Sequence, residues 1–204
     1  MITIVDYGLG NVLAFANIYK KLNIPVELAS TGSELSSATK ILLPGVGSFD
    51  WAMTQLNNSG MRETLDFLVL KKNIPVIGIC VGMQMMAKTS DEGEMNGLGW
   101  INAEVKRLDN SNDTCLPHMG WNNLTSVKKH PLFNNLDSNA RFYFLHSYYF
   151  DQRDESQVLT KTLYNKSFTS SISHKNIYGV QFHPEKSHKW GVQLLQNFSQ
   201  INLC

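Results

Sequence analysis

Val76-Ile77-Gly78-Ile79-Cys80-Val81-Gly82-Met83-Gln84 decides how this chain reads. An apolar run opened by Pro75 ends in Gly-x-Cys-x-Gly and passes at once into residues that suit a helix. Val76, Ile77 and Ile79 are β-branched and favour a buried strand. This is the grammar of a nucleophile elbow, with cysteine where serine more often stands. The two glycines let strand and helix close around a sharp turn that holds the intervening side chain clear of the backbone. A cysteine so placed lies near a helix N-terminus, whose partial positive charge favours thiolate over thiol. From these residues alone a buried core cysteine followed by a tight turn is the competing reading.

Upstream, short apolar runs alternate with helical patterns. Ile2-Thr3-Ile4-Val5 predicts a strand, and Val12, Phe15, Ala16 and Tyr19 share one face of the helix after it. Pro25–Ala29 and Lys40–Leu43 predict two more strands, and residues 51–72 a helical segment broken near Asn57-Asn58-Ser59-Gly60. The Gly8-x-Gly10 pair lacks the third glycine and the acidic partner of a dinucleotide fingerprint, so it reads as a tight strand-to-helix loop. Strands alternating with helices predict an α/β fold, an open and mostly parallel sheet with helices on both faces. Its ligands gather at the carboxyl ends of the strands, where the turns at Gly8–Gly10, Pro44–Gly47 and Cys80–Gly82 must all fall.

Downstream of Ala87 the texture changes. Gly99-Trp100-Ile101 opens a strand-rich region, with strands at Val105–Leu108, Phe142–Leu145 and Ile177–Phe182 close enough to pair antiparallel. Asn110-Ser111-Asn112-Asp113 reads as a surface turn, and a helix from about Ser187 closes the chain, with Ser187 as N-cap. The second informative stretch is Gly179-Val180-Gln181-Phe182-His183-Pro184-Glu185-Lys186-Ser187. In an extended segment Glu185 faces the same way as His183. A nucleophilic cysteine needs a base in reach, and the base needs an orienting group; Cys80, His183 and Glu185 supply the three roles.

Composition excludes several classes. The chain has 204 residues, 43% hydrophobic and 17% charged, with a formal net charge of +1. That is one globular domain over 1–204, with no basic surface for nucleic acid and no apolar run long enough for a bilayer. Residues 1–6 are not expected to be a signal peptide, because Asp6 follows the first strand at once. Three irregularly spaced cysteines argue for a reducing, cytoplasmic setting, and Cys115 and Cys204 have no motif around them. His118, His146 and His174 lack metal-ligand spacing and read as structural, while His130 and His188 read as surface residues. No metal or organic cofactor is expected.

Together these blocks resemble the triad (class I) glutamine amidotransferases. The resemblance covers the whole chain, through Asp6–Asn11, Leu43–Gly47, Gly78–Gln84, Pro117-His118-Met119-Gly120-Trp121-Asn122, Phe144–Tyr149 and Gln181–Ser187. The cysteine elbow and the His-Pro-Glu motif belong to the superfamily. Pro117–Asn122 and the Pro44–Gly47 turn point to the branch of glutaminase subunits that serve a (β/α)8-barrel cyclase in histidine biosynthesis. The resemblance implies Cys80 as nucleophile, His183 as base and Glu185 as its orienting group. It implies an oxyanion hole from the amide of Val81 and, after a peptide flip, from Val46 and Gly47. Gly47, Gln84, Glu92, Ser147 and Tyr148 match positions that hold L-glutamine. Asn11, Trp121, Asn122, Tyr143 and Lys186 match positions at the interface with the barrel subunit. Val81 stands where leucine is more usual, which changes bulk and keeps the amide. Three rival readings share features of this pattern: a paralogue feeding ammonia to a sugar amidotransferase, a non-catalytic adaptor and a free-standing γ-glutamyl thiol hydrolase.

Overall fold

The computed structural model describes residues 1–109, 115–125 and 127–201. The turn expected at 110–113 and Cys204 lie outside them. The first half alternates as expected: β1 (Ile2–Val5), α1 (Val12–Lys21), β2 (Val26–Ala29), α2 (Gly32–Leu35) and β3 (Ile41–Leu43). It continues through α3 (Phe49–Asn58), α4 (Arg62–Asp66) running into a π-helical turn at Phe67–Lys71, β4 (Val76–Ile79) and α5 (Val81–Gln84). The helical segment over 51–72 is thus broken where Gly60 takes a positive φ of 71°. The second half holds β5 (Thr89–Ser90), β6 (Glu104–Arg107), β7 (His118–Asn123), β8 (Arg141–His146) and β9 (Tyr148–Asp151). β10 (Val158–Tyr164), β11 (Lys166–His174), β12 (Ile177–Val180) and α6 (His188–Gln200) complete it.

Seven strands form the central sheet in the order β10-β11-β12-β4-β3-β1-β2. β2, β1, β3, β4 and β12 run parallel, and β11 and β10 extend the sheet antiparallel. β1, β3, β4 and β12 are buried along their whole length, as a parallel sheet covered on both faces requires. One hydrophobic cluster runs through the sheet and its helices, with Phe15, Tyr19, Phe49 and Phe198 among its fully buried side chains. Among the described residues no helix is long and apolar enough to cross a membrane.

Gly99-Trp100-Ile101 leads into the strand-rich region as expected, with Trp100 buried and its indole N–H donating to Asp66 Oδ1 at 2.6 Å. One expectation needs correction. The 177–182 strand stops at Val180 and is antiparallel only to β11, because its other edge pairs parallel with β4. That parallel register is what positions the site. Val180 lies opposite Ile79 and Gly179 opposite Gly78, so Cys80 and His183 leave the sheet at the same edge. The two smaller assemblies, β5-β6-β9 and the β7-β8 hairpin, pack at this end, and β8 is tied to the histidine loop by a Tyr143–His183 bridge.

Candidate active site

Cys80 sits between β4 and α5 at φ 55° and ψ −112°, a backbone conformation that a side chain rarely adopts. The turn closes only because its neighbours are glycines. A Cβ on Gly78 would lie 2.6 Å from the Gly82 carbonyl oxygen, and one on Gly82 would lie 2.1 Å from that of Leu43. The Pro44–Gly47 turn packs against the elbow just as closely, since a Cβ on Gly45 would lie 2.1 Å from the Gly82 amide nitrogen. The buried Tyr7 hydroxyl, from the turn after β1, donates to the Pro44 carbonyl at 2.7 Å. All three glycine-bearing turns therefore meet at one place.

His183 is buried, and its Nδ1 lies 2.9 Å from Glu185 Oε1, whose side chain is also buried. The expected extended geometry is not what joins them: Pro184–Lys186 is a 3-10 turn that curls the carboxylate back onto the imidazole. Ser187 stands at the N-cap position of α6 but does not cap it. Its hydroxyl donates to the His183 carbonyl at 2.6 Å and accepts from the Tyr143 amide at 3.0 Å, so it pins the loop that carries His183. Burial works against a charged His183. The negative charge and hydrogen bond of Cys80, and then those of Glu185, outweigh burial and push the imidazole up to about 10. The arrangement favours an imidazolium at His183, beside the Cys80 sulfur.

A cavity of about 160 Å³ opens on these groups, lined by Val46, Gly47, Cys80, Val81, Gln84 and Glu92 on one side. Leu145, His146, Ser147, Tyr148, His183 and Lys186 line the other. Its volume is well below the 300–1,000 Å³ typical of drug-sized ligands and suits one small metabolite. A larger cavity of about 460 Å³ lies elsewhere, between Lys88, Glu104, Asp151 and Arg153. It holds charges of both signs and no nucleophile, so the chemistry belongs to the smaller one.

Every residue expected to touch substrate lines the smaller cavity. Glu92 also accepts the Phe49 amide at the start of α3, at 2.8 Å, and burial raises its carboxyl above the usual range, with the Phe49 hydrogen bond opposing and Asp50 reinforcing. Gln84 spends both N–H groups on the protein, donating to the Tyr148 carbonyl at 2.9 Å and to Gln181 Oε1 at 3.0 Å. It therefore turns an acceptor, Oε1, to any ligand. Gly47, at φ 82°, holds the turn conformation that side chains rarely adopt.

Of the residues expected to face a partner, Trp121 and Tyr143 are cross-strand neighbours on β7 and β8, their rings 6.1 Å apart. Trp121 also stacks on the exposed His188 at 5.1 Å, and the Lys186 ammonium lies 5.8 Å from the Tyr143 ring centre. Asn11 is exposed at the start of α1. Asn122 is drawn inward: its amide lies 3.2 Å from His118 Nε2 and donates to the Leu163 carbonyl at 3.0 Å. His130, expected at the surface, is half-buried, its Nδ1 accepting the Leu132 amide and its ring packed against Tyr178. Cys115 is free and exposed.

Sequence reasoning did not single out Tyr7, Gln181 or Ser187 for the site. Gln181 donates to Cys80 Sγ at 3.7 Å. Its position inside the His-Pro-Glu block was the one signal that could have found it.

A family model described as glutamine amidotransferase class-I matches residues 3–201. The imidazole glycerol phosphate synthase subunit HisH of Bdellovibrio bacteriovorus is 54% identical, with 98% of this chain and 100% of that protein covered. The protein of the same description from Leptospira interrogans is 50% identical over the same shares. A crystal structure described as a glutamine amidotransferase superposes with a TM-score of 0.76 at 17% identity, covering 98% of this chain and 99% of the other, and shows the shared fold. The chain belongs to the class-I glutamine amidotransferase family.

Proposed function

We propose that this chain is the glutaminase subunit of imidazole glycerol phosphate synthase, hydrolysing L-glutamine and passing the ammonia to a (β/α)8-barrel cyclase subunit in histidine biosynthesis. The observation that carries the reading is one small cavity holding a cysteine on a strained elbow beside a buried histidine–carboxylate pair. Relatives with half or more of their residues identical, and matching end to end, support the client pathway. The reading takes residues 1–204 as one domain working in the cytoplasm.

Cys80 Sγ attacks the side-chain carboxamide carbon of glutamine, and the C=O electron pair moves to oxygen. The Val81 amide, in the first turn of α5 and so free of the helix ladder, serves as one donor to that oxyanion in this reading. The Val46–Gly47 peptide supplies a second donor once it turns inward. His183, charged beside Cys80, delivers its proton to the leaving nitrogen; the C–N bond breaks and ammonia departs, leaving a γ-glutamyl thioester. Neutral His183 then takes a proton from water, hydroxide adds to the thioester carbonyl, and the C–S bond breaks to give glutamate and the resting pair. Glu185 keeps the imidazole oriented throughout. Glu92 and Gln84 Oε1 offer acceptors to the substrate's ammonium group. Ammonia released into water would be lost as ammonium, so turnover belongs in a complex. In this reading Trp121, Tyr143, Lys186 and Asn11 offer the edge where the barrel docks, and Asn122, with its amide turned inward, supports that edge from within.

Glutamate release by the chain alone and with the barrel subunit and its nucleotide ligand tests this. The expected result is weak turnover alone, strong stimulation in the complex and a loss of at least about 10³-fold in Cys80→Ala. Turnover that survives Cys80→Ala overturns the assignment, and absence of stimulation by the histidine-pathway ligand moves the client to sugar amidation.

A further inference from the structure

Two buried histidines that the mechanism does not use stand at the cavity: His146 in its wall and His118 behind it. His118, on β7, and His146, at the end of β8, face each other across the hairpin, with His118 Nδ1 3.1 Å from His146 Nε2. His146 Nδ1 lies 2.8 Å from the Tyr148 carbonyl, and His118 Nε2 lies 3.2 Å from the Asn122 amide nitrogen, which also donates to the Leu163 carbonyl. The chain of contacts is thus closed by a carbonyl at each end. Carbonyls only accept, so every proton in between is determined.

From one end, the Tyr148 carbonyl requires a proton on His146 Nδ1. His146 Nε2 is then bare and takes its proton contact from His118 Nδ1. His118 Nε2 is bare in turn and accepts from Asn122. Starting from Leu163 gives the same answer. Adding a proton to His146 would set its Nε2–H against the His118 Nδ1–H at 3.1 Å, and adding one to His118 would set its Nε2–H against the Asn122 amide N–H at 3.2 Å. Burial agrees: it lowers His118 to about 4, and burial with the nearby His118 lowers His146 to about 3.

The order continues past Tyr148. That carbonyl is filled by two donors, His146 Nδ1 and Gln84 Nε2; Gln84 donates also to Gln181, and Gln181 donates to Cys80 Sγ. We propose that His118 and His146, each neutral with its proton on Nδ1, are positioning residues that fix the Tyr148 carbonyl and thereby the acceptor orientation of Gln84 toward substrate. The proposal rests on the glutaminase reading for its substrate, not for its geometry. Its element of specificity is the direction of Gln84: reversed, the amide would offer N–H groups where an ammonium must bind.

The test is imidazole nitrogen NMR of the full chain, labelled at histidine, together with glutamine kinetics in the complex. His118→Phe keeps a ring in the stack between Phe144 and Tyr164, 4.8 and 4.0 Å away, and removes only the hydrogen bonds. His146→Asn keeps a donor at the Nδ1 position. At pH 7 two of the six histidines are expected as neutral Nδ1–H tautomers. In His118→Phe the His146 signal moves toward an Nε2–H mixture, and KM for glutamine rises about tenfold with a smaller change in kcat. His146→Asn holds KM within about threefold, whereas His146→Leu does not. An Nε2–H tautomer or an imidazolium at either position at pH 7 overturns the proposal, as does an unchanged KM in both His118→Phe and His146→Leu. Should a variant fail to fold, the wild-type tautomers still decide. A wild-type chain without glutaminase activity overturns the function and leaves the tautomer result to judge the geometry.

Discussion

His183 meets one carboxylate oxygen, Glu185 Oε1, while Glu185 Oε2 is buried with no hydrogen-bond partner among the described residues. The carboxylate's charge therefore acts on the imidazole without competition. Because His183 is pushed up to about 10, its imidazolium, the proposed proton donor to the leaving nitrogen, survives well above neutral pH. The alkaline limb of kcat/KM for glutamine is expected near pH 10. Glu185→Gln keeps an acceptor for Nδ1 but removes the charge; the limb moves down by a unit or more and kcat falls by about 10²-fold. A pH–rate profile of both proteins checks this, and an unmoved limb would show that Glu185 acts by shape alone. Tyr7 acts from farther off. Tyr7→Phe removes the donor to Pro44, frees the oxyanion turn and costs about 1 kcal/mol of stability, with kcat falling more than KM changes. The triad residues were legible because each chemical role demands one residue type in one local setting. Tyr7 was not, since a turn tyrosine reveals its partner only when Pro44 is brought beside it.

At the scale of elements, β4 and α5 depend on two glycines facing each other across the sheet. Gly78 and Gly179 are register partners on β4 and β12, and α5 lies over both. The obstruction differs. A methyl at Gly78 would meet backbone, the Gly82 carbonyl at 2.6 Å, whereas one at Gly179 would meet the Met83 side chain, Cγ at 2.6 Å. Backbone cannot yield, whereas Met83 can turn in part, its Cβ and Ile172 Cγ1 also lying 3.1 Å from the new methyl. Gly78→Ala is expected to cost about 3 kcal/mol or more and to abolish glutaminase activity, and Gly179→Ala about 1 kcal/mol with activity kept. Urea unfolding with a parallel activity assay separates the two, and equal costs would mean that α5 rests on the sheet differently. The parallel half was legible because buried strands and amphipathic helices leave distinct periods. β11 was not. Its buried core carries Thr169, Ser170 and Ser171, a composition that reads as loop, and the Thr160 hydroxyl satisfies both serines from the neighbouring strand at 2.9 and 2.6 Å. Hydroxyls that satisfy one another inside a sheet leave no hydrophobic alternation to find.

Across the whole molecule the site joins strand ends that the sequence separates by about a hundred residues, with the elbow from β4 and His183 from the loop after β12. Three buried histidines then tie stability to pH in opposite senses. His146 and His118 have folded values below the ordinary 6.5, so the unfolded chain binds the extra protons. Their stabilising contribution is present above about pH 6.5 and is lost as pH falls toward 4 and 3, at up to about 1.4 kcal/mol per unit for His146. His183 has a folded value above 6.5; its contribution is full below that pH and is lost as pH rises toward 10. The two arms meet near neutrality, so unfolding free energy from urea titrations should peak between about pH 6 and 7.5. The arms can be removed separately. His118→Phe reduces the acid arm, leaving the His146 part, and spares the alkaline one; Glu185→Gln reduces the alkaline arm, leaving the Cys80 part, and spares the acid one. A wild-type curve that stays level from pH 4.5 to 6.5 would mean that the His118–His146 pair titrates normally, and so that the hairpin beside the cavity is open to water.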